Sequence, residues 1–252
     1  MAVEETNLTE AQAKYYMLVR RLHSLTGLVP VGVFLCVHLV TNASVLVSAD
    51  GAEFQQAVER IHALGPLLVP VEIVGIFIPM LFHAIVGIQI MLTSMPNPQH
   101  YRYGSNIRYT LQRATGMIAF AFILYHVWQM HWLGASLGGG HFELHNEAGA
   151  ATGALTAAKA IQAGWWIAPI YGIGVIATVF HLANGIWTSL ITWGITIKPQ
   201  TQRVSGYACI VFGILLCGVG LGALRGFKTF NTGGATATDR APAAITASLD
   251  EH

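Results

Sequence analysis

An all-α membrane protein with five transmembrane helices is predicted by three observations. Of 252 residues, 54% are hydrophobic and only 10% are charged, against roughly 25% charged in a soluble domain. Five stretches, about 23–47, 67–93, 109–133, 165–196 and 204–224, are apolar over the roughly 20 residues a helix needs to cross hydrocarbon. None alternates with the two-residue period of a barrel strand. The same shortage of charge rules out a soluble enzyme or a disordered chain, and a net charge of +1 leaves no basic surface for nucleic acid.

Residues 1–22 carry Glu4, Glu5 and Glu10 and no early apolar core, so they read as a cytoplasmic segment and not a cleavable signal peptide. Span one contains Pro30, span two Pro79 and span four Pro169, which neighbouring helices in a membrane bundle tolerate. Trp132, Trp165, Trp166 and Trp193 mark membrane interfaces. Residues 134–164 are expected to form a long Gly/Ala-rich outer loop, and 231–252 an Ala/Thr-rich stretch, both partly mobile. A five-helix transmembrane core over 23–226 is thus followed by a flexible tail over 227–252. Cys36, Cys209 and Cys217 lie in apolar runs without C-x-x-C spacing, as small hydrophobes do.

Orientation follows from Lys and Arg. Lys14, Arg20, Arg21, Arg102, Arg108, Arg113, Lys198 and Arg203 fall on the N-terminal side of the bundle; Arg60, Lys159, Arg225 and Lys228 fall on the other. Positive-inside bias puts the N-terminus in the cytoplasm and the C-terminus outside.

Histidines inside a bilayer are functional candidates by default. His38, His83, His126 and His181 occur once each in spans one to four. Counted from the outer ends, His38 and His126 share an outer level. His83 and His181 share one roughly 10 Å deeper. Two pairs at two depths suit two bis-imidazole haems stacked across a four-helix bundle, with both axial positions filled and electron transfer as the chemistry. Gly27, Gly87, Gly174 and Gly185 are spaced to give the porphyrins room, although small residues also serve plain helix packing. Arg20, Arg21, His23, Ser24 and Arg113 at the cytoplasmic mouth are candidate contacts for inner-haem propionates; membrane anchoring is the alternative for the arginines. The HFELH stretch at 141–145 reads as a solvated loop despite its metal-like spacing.

Glu72 is the one carboxylate inside a span. On a regular helix it lies on nearly the face of His83 and about 16 Å further out. It is a candidate for proton exchange at a quinone, or else an interfacial residue reaching water.

Beyond these patterns, RRLHSLTGLVPVGVFLCVHLVTN, FIPMLFHAIVG, LQRATG, YHVW and FHLANGIWTSLITWGIT resemble the dihaem cytochrome b subunits of succinate dehydrogenase, in the Bacillus-type cytochrome b558 branch. The likeness covers roughly 14–226. It implies a membrane anchor bound to an FAD flavoprotein and an iron–sulfur subunit. Electrons would reach an inner haem (His83, His181), then an outer haem (His38, His126), then a quinone, typically menaquinone. An acid at the Glu72 position also occurs in that family. Fumarate reductase anchors share the same shape and run in reverse. The dihaem subunit of a nitrate reductase or hydrogenase fits the span count but not the motifs. A proton-coupled transporter would call for inverted repeats or broken midplane helices, which the sequence lacks.

Overall fold

The computed structural model describes residues 9–93 and 104–233. Among these residues lie α1 (Glu10–Leu28), α2 (Pro30–Ala43), α3 (Ala52–His62), α4 (Leu68–Glu72), α5 (Ile78–Thr93), α6 (Gly104–Met130), α7 (Gly153–Gln162), α8 (Ile167–Thr192) and α9 (Pro199–Thr229). No strand occurs among them beyond an isolated bridge between His145 and Ala151. His100, Arg102 and residues 234–252 lie outside the described residues.

Glu10–Leu46, Gly65–Thr93, Ile167–Thr192 and Pro199–Thr229 are each long and apolar enough to cross a membrane. They correspond to predicted spans one, two, four and five, and the chain is an all-α, multi-pass membrane protein. The third predicted span is α6. Its 27 residues would reach about 40 Å, but Gln112, Arg113, His126 and Gln129 dilute its apolar character. These polar groups find partners on neighbouring helices, which is how such side chains are accommodated within a bundle.

Two spans are interrupted where proline removes a backbone donor. Pro30 occupies the first position of α2, and Val29 joins α1 to α2. The N–H missing at Pro30 breaks the α ladder there. A capping box between Thr9 and Gln12 starts α1 at Glu10, so helix begins well inside the stretch read as an N-terminal segment. In span two a single π turn, Ile73–Phe77, separates α4 from α5 and lies between Pro70 and Pro79. Such turns shift the helical phase of everything before them relative to everything after.

Leu39 of α2, Val175, Val179 and Leu182 of α8 and Leu216 of α9 form one apolar core. Close approach there depends on absent side chains. A β-carbon at Gly220 would meet Val175 Cγ1 at 2.8 Å, and one at Gly32 would meet Leu182 Cδ1 at 2.8 Å. The outward residues of these helices stay exposed, as lipid-facing residues do: Val37, Val40, Val74 and Leu81 are each more than half exposed.

The segment expected to be a mobile outer loop is instead a folded cap. A second core joins Phe54 and Val58 of α3, Ala154, Ala157, Ala158 and Ile161 of α7, Ile167 and Tyr171 of α8 and Phe227 of α9. Ala and Gly make this possible, because small side chains let α7 lie flat against its neighbours. Gly51 adopts φ +74°, and a β-carbon on it would overlap that of Ala154. Gln55 ties the cap together: its amide donates to Leu144 O at 2.9 Å and its carbonyl accepts from Gly153 N at 3.0 Å. Gln162 donates to the carbonyls of Phe227 and Phe230 at 2.8 and 2.9 Å, closing the C-terminus of α9. The expected tail therefore opens on helix, with Phe227 buried in the cap.

Candidate functional site

The four span histidines meet as two pairs at two levels of the bundle. His38 of α2 and His126 of α6 face each other with ring centroids 5.6 Å apart, nearer the capped end. His83 of α5 and His181 of α8 are 6.0 Å apart, nearer the arginine-bearing end. Two imidazoles joined through one metal atom stand roughly 6 Å apart, given metal–nitrogen bonds of about 2 Å. Among the described residues no group of three or more His, Cys, Asp or Glu is gathered as a metal cage. Pairs are the donor set a metal needs when a macrocycle supplies its other ligands.

Hydrogen bonds decide which ring nitrogen each histidine presents. His83 Nδ1 lies 2.8 Å from the His23 carbonyl, and His181 Nδ1 lies 3.0 Å from the Gln112 carbonyl. A carbonyl only accepts, so both Nδ1 atoms carry the proton. Tyr171 donates to Gln129 Oε1 at 2.8 Å, which leaves its oxygen to accept from His126 Nδ1 at 3.2 Å. Gln129 is fixed in turn by its bond to Ala160 O at 3.0 Å. In all three residues the Nε2 lone pair is left free, and the second bond sets the tautomer as it does for metal-binding histidines. His38 differs: Asn42 holds its backbone carbonyl at 2.7 Å and approaches its Nε2 at 3.3 Å.

Room around the rings is made by glycine. A β-carbon at Gly27 would overlap the His83 ring, and one at Gly116 would meet His181 Cε1 at 2.8 Å. Gly174 admits the ring of Phe122, which stacks on His126 at 5.8 Å, while Phe34 stacks on His38 at 5.4 Å. Gly87 faces His23, and Gly185 has only ordinary contact with Gln112. Gly27 therefore serves the inner pair. Fit to a haem is supported by the free Nε2 atoms, these glycine notches and one orphan ring nitrogen: His23 Nδ1 is buried without a partner.

The candidate propionate contacts divide. His23 stacks on His83 with centroids 4.0 Å apart and planes 10° apart. Ser24 donates to Arg21 O at 2.9 Å and accepts from Trp193 Nε1 at 2.9 Å. Arg113 donates to Met91 O and to Tyr109 Oη, tying α6 to the end of α5. Arg21 is exposed and lines a surface groove along α1 with Lys14 and Met17.

Glu72 faces His131, with Oε2 3.5 Å from Nε2 and both side chains about one-fifth exposed. Leu133 N donates to His131 Nδ1 at 3.3 Å, so the ring proton sits on Nε2, toward the carboxylate. The π turn directly after Glu72 breaks the phase that would have set it on the face of His83. His131 escaped the sequence reading although its depth, three residues before Gly134, matches that of Glu72. Arg108, Gln112 and Asn184 were missed as a unit: Arg108 Nε donates to Asn184 Oδ1 at 3.0 Å, Asn184 to Gln112 Oε1 at 2.8 Å, and Gln112 to His181 O at 3.1 Å. In the HFELH stretch His145 Nε2 lies 3.1 Å from Glu59 Oε1. Gln55 donates to the same carboxylate oxygen, and together they hold Glu59 below the usual carboxylate range.

Residues 5–104 match the family described as succinate dehydrogenase/fumarate reductase transmembrane subunit. The succinate dehydrogenase cytochrome b558 subunit of Bacillus subtilis (strain 168) is 37% identical over 210 residues, which cover 82% of this chain and 95% of that protein. The paired histidines and the membrane helices give the likeness a physical basis, and the chain belongs to the family of succinate dehydrogenase/fumarate reductase transmembrane subunits.

Proposed function

We propose that this chain is the electron-carrying membrane anchor of a succinate:quinone oxidoreductase, with His83 and His181 as axial ligands of an inner b haem and His38 and His126 as those of an outer one. The observation that carries this reading is the shared tautomer of His83, His126 and His181, each with Nδ1–H engaged and Nε2 free toward a facing imidazole. When bound, two such haems supply one-electron relays across the bilayer between an iron–sulfur partner and a quinone, menaquinone in this branch.

The chain's own residues do the rest. The His23 and Gln112 carbonyls hold the inner imidazoles against rotation, and Tyr171 and Gln129 hold the outer one, so the ligands are organised before the group arrives. His23 offers a buried ring nitrogen beside the inner pair, suited to a propionate. Glu72, at the end carrying the cap, exchanges a proton with quinone there. The arginine-bearing end faces the cytoplasm and receives the FAD flavoprotein and iron–sulfur subunits; the capped end faces outward across the bacterial cytoplasmic membrane. On this reading the dicarboxylate chemistry belongs to the flavoprotein subunit.

The test is the composition of the purified complex. Two b haems per chain, reduced by succinate when the flavoprotein and iron–sulfur subunits co-purify, are expected. A folded, colourless preparation would contradict the haem assignment.

A further inference from the structure

A cavity of about 310 Å³ opens at the arginine-bearing end between α6, α8 and α9, lined by Arg108, Trp187, Gln202, Arg203, Tyr207 and Ile210 among others. No carboxylate lines it, and among the described residues neither Arg108 nor Arg203 takes part in an ion pair. Arg108 is held in place and not loose. Its guanidinium lies over the Trp187 ring at 3.8 Å, its Nε is fixed by Asn184 at 3.0 Å, and Trp187 is fixed by its bond to Gln202 O at 2.8 Å. The missing side chain at Gly206 matters too, since a β-carbon there would meet Trp187 Nε1 at 3.2 Å and Arg108 Nη1 at 3.5 Å. The guanidinium's terminal nitrogens are thus left for an acceptor outside the chain, and a guanidinium pre-set in this way favours a phosphate.

Along α9 from this cavity runs an apolar face with no partner. Tyr207, Ile210, Val211 and Ile214 are each about half exposed or more, and their spacing of three and four residues keeps them on one side of the helix. A soluble anion would use only the arginines; a cation pair continuous with an exposed apolar stripe matches a molecule with a negative head and acyl chains. We propose that this cavity is a binding site for an anionic phospholipid, its phosphate on Arg108 and Arg203 and its chains along Tyr207 and Ile214 of α9. Basic pockets between membrane helices recognise headgroups in this manner. The site shares no residue with either histidine pair.

The test uses the full-length chain purified with its bound subunits, stripped of lipid in detergent. It is then titrated with phosphatidylglycerol or phosphatidylcholine, and bound lipid is counted by native mass spectrometry. Phosphatidylglycerol is expected to be retained in preference, with affinity falling roughly fivefold in Arg203→Gln and staying unchanged in Arg225→Gln, which removes the same charge at the capped end. Arg203 is exposed, so its variant keeps the fold even if Arg108→Gln does not. Equal retention of both lipids, or equal affinity in Arg203→Gln and Arg225→Gln, would overturn the site. Displacement of phosphatidylglycerol by excess inorganic phosphate would assign it to a soluble anion. Absence of any retained lipid from the complex would assign the cavity to a partner subunit. Either result overturns the proposal.

Discussion

Gly27 of α1 and His83 of α5 are in such close contact that a β-carbon on residue 27 would occupy the space of the imidazole ring. The same ring is bonded through Nδ1 to the His23 carbonyl one helical turn earlier on α1. It therefore has no sideways freedom. Gly27→Ala is expected to displace His83 and to remove the inner haem, leaving about half the haem per chain, with the outer haem kept. Haem-to-protein ratio and a redox titration of the remaining absorption check this; retention of both haems would make Gly27 a packing residue only.

Tyr171 is the hinge of the outer site, because its single hydroxyl both accepts from His126 and donates to Gln129. In Tyr171→Phe a ring N–H and an amide oxygen lose their partner in a buried setting, at a cost of about 1–3 kcal/mol. The expected result is a lower thermal stability and a shifted midpoint potential for the outer haem alone. Thermal melting with potentiometry of both haems is the measurement.

Much of this arrangement was legible in the sequence, and the physical reason is depth. A helix rises by a fixed amount per residue, so four histidines counted from polar span ends fall into two levels without any knowledge of packing. Face is less secure than depth. The π turn at Ile73–Phe77 shifts the helical phase, so Glu72 meets His131, and Gly27 is matched to His83 by the packing of α1 on α5. The cap was hidden for another reason: α7 is only ten residues long, and half of them are Gly or Ala, a composition that reads as loop when its burial against Phe54 and Phe227 is out of view. Arg108 read as one more positive-inside residue because its partners Asn184 and Trp187 lie far along the chain.

The cap supplies a pH dependence outside the membrane. Glu59 is held below the ordinary carboxylate range first by the Gln55 amide and then by His145. A carboxylate whose pKa is lowered by folding stabilises the fold above its unfolded pKa, and that contribution is lost as pH falls through the folded value. Resistance of the 134–164 segment to an acid-active protease is therefore expected to be flat near neutral pH and to fall below the usual carboxylate range. Glu59→Gln should flatten that dependence; a wild-type profile unchanged by the substitution would detach Glu59 from the cap's stability.

Glu72 and His131 form a half-buried acid–base pair at the capped end. Glu72→Gln and His131→Ala are each expected to lower quinone turnover by roughly tenfold or more, with both haems retained and succinate still reducing them. Quinone reductase assays alongside haem spectra separate this from loss of the site. Turnover equal to wild type in both variants would make the pair a structural link between the ends of α4 and α6.

The pairing of the four histidines is the central claim, and single substitutions resolved by haem test it most directly. His83→Ala and His181→Ala should each remove the same inner component from the potentiometric titration, and His38→Ala and His126→Ala the same outer one. If instead His83→Ala and His38→Ala abolish one common component, or every variant loses both in equal measure, the two-level assignment is contradicted.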